Sequence, residues 1–137
     1  MFYALPAAMT EQTLATPYAL FGGAEGIRAL VDRFYDLMDL EEHAAGIRAL
    51  HPHSLDGSRE KLFEYLSFWL GGPQDYVEKR GHPRMRARHM PFTIGDDERD
   101  AWLTCMRRAV DETLPAIPER DRFLEAVTSL ADHMRNQ

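Results

Sequence analysis

Four stretches of the chain place hydrophobic residues at three- and four-residue steps, the spacing that buries one face of an α-helix. The first follows Gly22-Gly23 and comprises Ile27, Leu30, Val31, Phe34, Leu37 and Met38. The second begins near residues 56–58 and comprises Leu62, Tyr65, Leu66 and Trp69. The third comprises Trp102, Met106, Ala109, Val110, Thr113 and Leu114, and the fourth Phe123, Leu124, Val127, Leu130, Ala131 and Met134. No segment alternates convincingly between apolar and polar residues, so the pattern predicts an all-α fold of two antiparallel helix pairs packed across each other.

The residues that flank these patterns mark where each helix starts or stops. Gly71-Gly72-Pro73 ends the second helix, and Pro118 opens the fourth. Asp96 or Asp97 caps the third helix, and Glu98 favours its first turn. The four helices are therefore separated by connections rich in Pro, Gly or Asp.

Between the strong helices the pattern is weaker. A helical turn or two spans residues 44–50 and ends at His51-Pro52, and a long loop with one short helix joins the second and third helices. Residues 1–16 show no clear period and are predicted to form a loosely ordered N-terminal extension. Residues 17–137 then form a single domain, which suits a chain of 137 residues.

The short helix in the long loop ends on a histidine between two prolines. Pro83 fits the first turn of this helix, because its missing N–H costs nothing there. Pro91 disfavours helix at Met90, so the helix can run little beyond His89. About two turns remain, which is too short to be stable alone in water. Other parts of the molecule must therefore hold this helix in place.

A basic segment surrounds that helix in an otherwise acidic chain. The net charge is −6, yet residues 79–95 contain five Lys or Arg and no Asp or Glu, which leaves 11 basic and 22 acidic residues elsewhere. So acidic a chain is a poor general binder of nucleic acid. The arginines nearest His89 favour its neutral ring, the form that binds metal, and themselves require an anionic counterpart. They are Arg84, Arg86 and Arg88. A haem meets both demands, because its iron binds a neutral histidine and its porphyrin ring carries carboxylates. The segment therefore predicts a haem pocket.

Other metal sites need ligand spacings that this chain lacks. No glutamate is followed three residues later by histidine, and no two histidines lie four residues apart, which argues against a di-iron centre. A single cysteine, Cys105, leaves no plausible set of four zinc ligands. A lone axial histidine is sufficient if a porphyrin supplies four nitrogens to the iron.

Cysteine usage and hydropathy bear on where the protein resides. Because Cys105 is the only cysteine, an internal disulfide is excluded and a reducing cytoplasm is the natural compartment. No run approaches the ~18 apolar residues of a membrane span, and the N-terminus lacks the basic start and apolar core of a signal peptide. The sequence therefore predicts a cytoplasmic protein without a membrane partner.

Several motifs, in order and at workable spacings, make residues 17–135 resemble the group II truncated haemoglobins. They are Phe34-Tyr35, Gly71-Gly72-Pro73, Tyr76, Arg80-Gly81-His82-Pro83, Arg88-His89-Met90-Pro91-Phe92 and Arg99-Asp100-Ala101-Trp102. The resemblance implies a truncated globin fold, a two-over-two helical sandwich around haem b. It agrees with the two helix pairs that the hydrophobic pattern predicts.

The resemblance also implies roles for particular residues. His89 resembles the proximal iron ligand; His82 is its competitor but precedes a proline. Tyr35 and Trp102 match the residues whose hydroxyl and indole N–H point toward the gaseous ligand. Two further distal residues lie on the second helix: Ser58, where ordinary globins place a distal histidine, and Leu62, an apolar wall. Candidates for contact with haem and its carboxylates are Lys61, Tyr76, Arg88 and Phe92.

His51 departs from the commoner pattern, because the resemblance places tyrosine or phenylalanine at its position. It could be a third hydrogen-bond donor to the ligand, or a sixth iron ligand when the site is empty. It could also be a rim histidine before Pro52, exposed like its neighbour His53.

The expected activity is the binding of O₂ and other diatomic gases (NO, CO), or of peroxide, at a five-coordinate or reversibly six-coordinate iron. Buried donors hold O₂ strongly, and slow release suits bulk oxygen transport poorly. Oxidation of NO by bound O₂ and peroxide-dependent oxidation are candidate reactions, with turnover supported by an external reductase. The alternative is a haem-based sensor or interaction module without turnover. Whether the protein is a monomer or a homodimer is left open.

Overall fold

The computed structural model describes residues 15–137, so most of the predicted N-terminal extension lies outside the described residues. This part contains eight α-helices and no strand: α1 (Pro17–Leu20), α2 (Gly23–Leu40), α3 (Ala45–Ala49), α4 (Asp56–Trp69), α5 (Asp75–Arg80), α6 (Met85–His89), α7 (Asp96–Thr113) and α8 (Pro118–His133). A short 3-10 helix, Glu42–Ala44, precedes α3. None of the helices in residues 15–137 is long and apolar enough to cross a membrane.

The long helix α2 lies at the centre of the fold. It packs most extensively against α7 and next against α4, while α8 packs on α7 and α5 on α4. The apolar face predicted for α2 is fully buried, since each of its members is 1% exposed or less: Ile27, Leu30, Val31, Phe34, Leu37 and Met38. The predicted all-α fold is confirmed, with α2 and α4 as one helix pair and α7 and α8 as the other.

Helix α4 is covered on two sides, because it packs against both α2 and α5. The apolar face predicted from the sequence is buried or half-buried along its length. Glu64 and Ser67 are also buried, each at 3% exposure, although they lie off that face. A helix with two neighbours buries positions that a single apolar stripe assigns to solvent.

Two predicted helix boundaries are wrong. Helix α7 is capped by Gly95 rather than by Asp96 or Asp97, since the Glu98 carboxylate reaches back to accept the Gly95 N–H at 2.7 Å. Helix α6 begins at Met85, so Pro83 lies outside its first turn. The reason is that Arg84 has a left-handed backbone with φ of 44° and stands before the helix as its N-cap.

The loop predicted between the second and third strong helices contains α5 as well as α6. With six residues, of which only Tyr76 is buried, α5 is too short to show a hydrophobic period. It brings Lys79 and Arg80 against α4, and this contact bears on the site.

Candidate functional site

The ring of His89 is oriented by its own helix. Nδ1 lies 2.6 Å from the Met85 carbonyl oxygen, and because a carbonyl only accepts, Nδ1 carries the proton and donates. The lone pair is therefore on Nε2, which makes no hydrogen bond within residues 15–137. A backbone carbonyl bound to one ring nitrogen is how proteins orient an imidazole whose other nitrogen binds metal.

The C-terminal segment holds α6 on one side. Arg86 Nη1 donates to the backbone carbonyls of His133 and Arg135, both at 2.7 Å. The Asn136 side chain donates to the Phe92 carbonyl at 2.8 Å and accepts the Ile94 N–H at 2.9 Å. A helix of five residues is thereby kept in place by the end of the chain.

Arg88 holds α6 on the other side. Its Nη2 donates to the carbonyls of Arg80 at 3.0 Å and His82 at 3.2 Å, and its Nε donates to the Pro83 carbonyl. Backbone carbonyls thus occupy Nη1 of Arg86 and both Nε and Nη2 of Arg88, which meets part of the demand for an anion that the sequence predicts for these arginines. Nη1 of Arg88 has no partner within residues 15–137.

His82 does not present a comparable lone pair. Its Nδ1 accepts the Arg84 N–H at 3.2 Å, so in the neutral ring the proton is on Nε2. His82 is also exposed, whereas His89 is half-buried. The geometry therefore favours His89 over His82 as a metal ligand.

A cluster of aromatic side chains joins α2 to α7. The Phe34 ring contacts Tyr35 and Trp102 edge-on, with centroids 4.9 and 5.1 Å away. Tyr35 is 6% exposed, and burial raises the pKa of its hydroxyl far above the usual range, although Arg59 opposes the shift. Tyr35 is therefore a neutral donor. Within residues 15–137 neither its hydroxyl nor the Trp102 N–H has a hydrogen-bond partner.

His51 lies against this cluster. Its ring meets Tyr35 edge-on with centroids 5.9 Å apart, and its Nδ1 donates to the Ile47 carbonyl at 2.8 Å. Burial lowers the pKa of His51 despite that bond, and the positive charge of Arg48 lowers it further. His51 is thus a neutral ring whose lone pair is on Nε2, as in His89.

Arg48 supports the loop that carries His51. Its guanidinium pairs with Asp39 at 2.9 Å and donates to the carbonyls of Pro52 at 2.9 Å and His53 at 2.7 Å. A groove of about 570 Å³ borders the same loop, but it is not lined by the aromatic cluster. His53 is exposed, whereas His51 is half-buried.

A second arginine holds the start of α4 over Tyr35. Arg59 Nη1 lies 3.1 Å from both the carbonyl and the carboxylate of Asp32, and Nη2 lies 2.9 Å from the carboxylate of Asp36. The guanidinium carbon is 5.8 Å from the centre of the Tyr35 ring. Ser58 and Leu62, which flank Arg59 on α4, are half-buried. Sequence reasoning missed Arg48 and Arg59, because their partners are backbone carbonyls and acids on α2, a different helix.

The remaining predicted residues surround α6 or project from α4. Tyr76 is buried, and its ring centre lies 5.5 Å from that of Tyr65. The guanidinium carbon of Arg88 lies 5.8 Å from the centre of the Tyr76 ring. Phe92 is 42% exposed just beyond α6. Lys61 is exposed and makes no ion pair within residues 15–137.

These residues fit a haem better than a bare metal ion. No group of three or more His, Cys, Asp or Glu side chains in the described part of the chain could hold a metal. What the chain offers is one oriented imidazole lone pair, an exposed apolar side chain beside it, and separate polar groups without partners. A porphyrin, which brings four ligands of its own, needs only such an axial imidazole.

The all-helical sandwich and the orientation of His89 agree with the globin class. The model of the bacterial-like globins matches residues 16–136, and the chain belongs to that family, among its group II truncated haemoglobins. Membership means that the protein binds haem and, through it, small ligands.

Relatives and solved structures agree on the group. The group 2 truncated hemoglobin YjbI of Bacillus subtilis (strain 168) is 36% identical over 126 residues, which are 92% of each chain. The group II 2-on-2 hemoglobin of Agrobacterium tumefaciens is 50% identical with a TM-score of 0.88, covering 90% of this chain and 95% of that one. A cold-adapted truncated hemoglobin of Pseudoalteromonas haloplanktis TAC125 is 45% identical with a TM-score of 0.88, covering 90% and 99%.

Proposed function

We propose that the protein binds haem b through Nε2 of His89 and retains O₂ by hydrogen bonds from Tyr35 and Trp102. The observation that carries the proposal is the pair of donors on either side of Phe34. Within residues 15–137 neither the Tyr35 hydroxyl nor the Trp102 N–H has a partner, and both rings are fixed by contact with Phe34. Fixed donors without partners suit a ligand that accepts hydrogen bonds.

Haem held by His89 would supply an iron that binds a diatomic gas. The chain's own groups then act on that ligand. Tyr35 donates because its raised pKa keeps the hydroxyl protonated, and the indole of Trp102 can only donate. In a pocket of low dielectric, such bonds are stronger than in water, so O₂ leaves slowly.

His51 serves as a lone-pair group rather than as a third donor. Its proton is engaged by the Ile47 carbonyl, and its lowered pKa disfavours a second proton on Nε2. A neutral Nε2 can accept the Tyr35 hydroxyl or ligate iron when no gas is bound. Of the roles open to His51 from the sequence, the sixth ligand agrees best with this tautomer.

Haem carboxylates would be held by cations near α4 and α6. Lys61 and Nη1 of Arg88 have no partners within residues 15–137, and Tyr76 lies beside Arg88. Phe92, exposed beside α6, would cover an apolar face of the haem.

Slow release of O₂ favours its use over its transport. The reaction we propose joins O₂ to NO as nitrate, and each turnover takes one electron from an external reductase. Peroxide reduction is the alternative with the same electron source.

A cytoplasmic location accords with Cys105, which is buried. Burial raises the pKa of its thiol and keeps the thiol protonated.

The test measures nitrate formation first in a single turnover and then in steady state. Reduced, haem-loaded protein exposed to O₂ should keep an oxygenated spectrum, and one equivalent of NO should convert it to the ferric form with one equivalent of nitrate. With NADH and a general reductase present, nitrate should accumulate beyond one equivalent. A stable O₂ complex that yields no nitrate would favour the sensor alternative.

A further inference from the structure

Glu64 is the one charged side chain that is buried within residues 15–137, at 3% exposure. A buried carboxylate is costly unless it is paired and hydrogen-bonded. Oε1 of Glu64 accepts Nε of Arg80 and Oε2 accepts Nζ of Lys79, each at 3.0 Å. Burial opposes its ionisation, but the two cations outweigh burial and hold the pKa of Glu64 below its ordinary value. The carboxylate therefore stays charged and ties α5 to α4.

The two cations differ in how well they are shielded from water. The Lys79 side chain is 60% exposed, whereas that of Arg80 is 29% exposed. Exposed ion pairs contribute little, so the pair with Arg80 is the stronger constraint. Arg80 is also the last residue of α5, directly before the turn that leads to α6.

Arg80 is linked to α6 through its backbone. Its carbonyl accepts Nη2 of Arg88 at 3.0 Å, and Arg88 precedes His89. The Arg80 side chain therefore fixes the end of α5 to Glu64, while its carbonyl holds the Arg88 guanidinium. Since α6 has five residues and is too short to be stable alone, such tethers decide where it lies.

From this connection we propose that Glu64 is a positioning residue for His89, which it orients through Arg80 and Arg88. The proposal rests on the role of His89 as the iron ligand. Helix α4, which carries Glu64, also carries the candidate distal residues Ser58 and Leu62. One buried carboxylate thereby connects helix α4 to the segment that carries His89.

The test compares Glu64→Gln with wild type as haem-loaded protein. Glutamine has the same shape but lacks the charge, and its amide NH₂ cannot accept from a second cation. In the ferrous, gas-free form we expect the iron–histidine stretching band in the resonance Raman spectrum to shift and broaden. Haem transfer to apomyoglobin should become about tenfold faster, as for loss of other groups that orient a metal-bound histidine.

The matched control is Glu60→Gln, one turn earlier on α4. Glu60 pairs with Arg28 at 3.3 Å, is 48% exposed and has no bond to α5 or α6 within the described residues. It should leave the band and the haem transfer rate unchanged. If Glu64→Gln lowers stability but leaves the band where it is, Glu64 only stabilises the fold and the proposal is wrong.

Two further variants test the route. Arg80→Gln removes the other half of the ion pair at a more exposed site, so it should shift the band in the same direction even if Glu64→Gln does not fold. In an Arg88→Gln background, Glu64→Gln should add no further shift; a full additional shift would overturn the route through Arg88. Retention of the band in His89→Ala would instead refute the assigned iron ligand, and this inference with it.

Discussion

The Tyr35 and His51 rings meet edge to face, with centroids 5.9 Å apart, and their polar atoms are complementary. Tyr35 retains its proton because burial raises its pKa, whereas the proton of His51 is bound to the Ile47 carbonyl. One side chain therefore offers a hydrogen and the other a lone pair. In the proposed pocket, Tyr35 acts on the gas and His51 acts when the gas is absent.

Tyr35→Phe should raise the rate at which O₂ leaves the reduced, haem-loaded protein by about tenfold, the loss of one strong buried hydrogen bond. Stopped-flow mixing of the oxygenated protein with excess CO measures this rate. Tyr65→Phe is the control, since it removes the hydroxyl of another buried tyrosine that stacks on Trp69. Equal rates in wild type and Tyr35→Phe would remove Tyr35 from the ligand pocket.

Trp102→Phe should also speed O₂ release, by several-fold, because phenylalanine keeps the contact with Phe34 but has no N–H. The matched change is Trp69→Phe, in a tryptophan that packs on Phe123 away from this cluster. If Trp102→Phe releases O₂ at the wild-type rate, the indole serves in packing alone.

His51→Ala should change the spectrum of the gas-free protein. If Nε2 of His51 ligates iron, the ferric and ferrous spectra of wild type contain a low-spin six-coordinate component that the variant lacks, and the variant should bind CO faster. His53→Ala, on the exposed neighbour, should match wild type. Identical spectra for all three proteins would contradict the role of His51 as a sixth ligand.

The pH dependence of unfolding should report the ion pair of Glu64. Its folded pKa lies below the unfolded value of about 4.3, so the stabilisation is fully present above that pH and is lost as the pH falls through the folded pKa. The free energy of unfolding of wild type should therefore exceed that of Glu64→Gln at pH 7, and the gap should narrow on acidification to pH 3. A gap that is the same at both pH values would show that the charge does not contribute.

Much of the fold follows from the apolar period alone. The stripe from Ile27 to Met38 predicts α2 because each member faces the core. The pattern does not predict α5, since six residues are too few to show a period. It does not predict Gly95 as a cap either, because the capping bond joins the Gly95 N–H to the side chain of Glu98.

The site was less accessible to sequence reasoning than the fold. The motif around His89 identifies the residue. The side chains that hold its helix bond mainly to backbone carbonyls, and no sequence pattern specifies such partners. Glu64 stands at a position that the α4 stripe assigns to solvent, and its partner Arg80 belongs to a helix that the pattern did not predict. Pairings of this kind depend on packing.

The most direct test of the central claim is a haem titration of three proteins followed by absorbance. Wild type and His82→Ala should each bind one haem and give the same five-coordinate, histidine-ligated spectrum in the gas-free ferrous state, apart from any component from His51. His89→Ala should lose that spectrum, and added imidazole should restore it. A normal histidine-ligated spectrum in His89→Ala, or its loss in His82→Ala, would contradict the account.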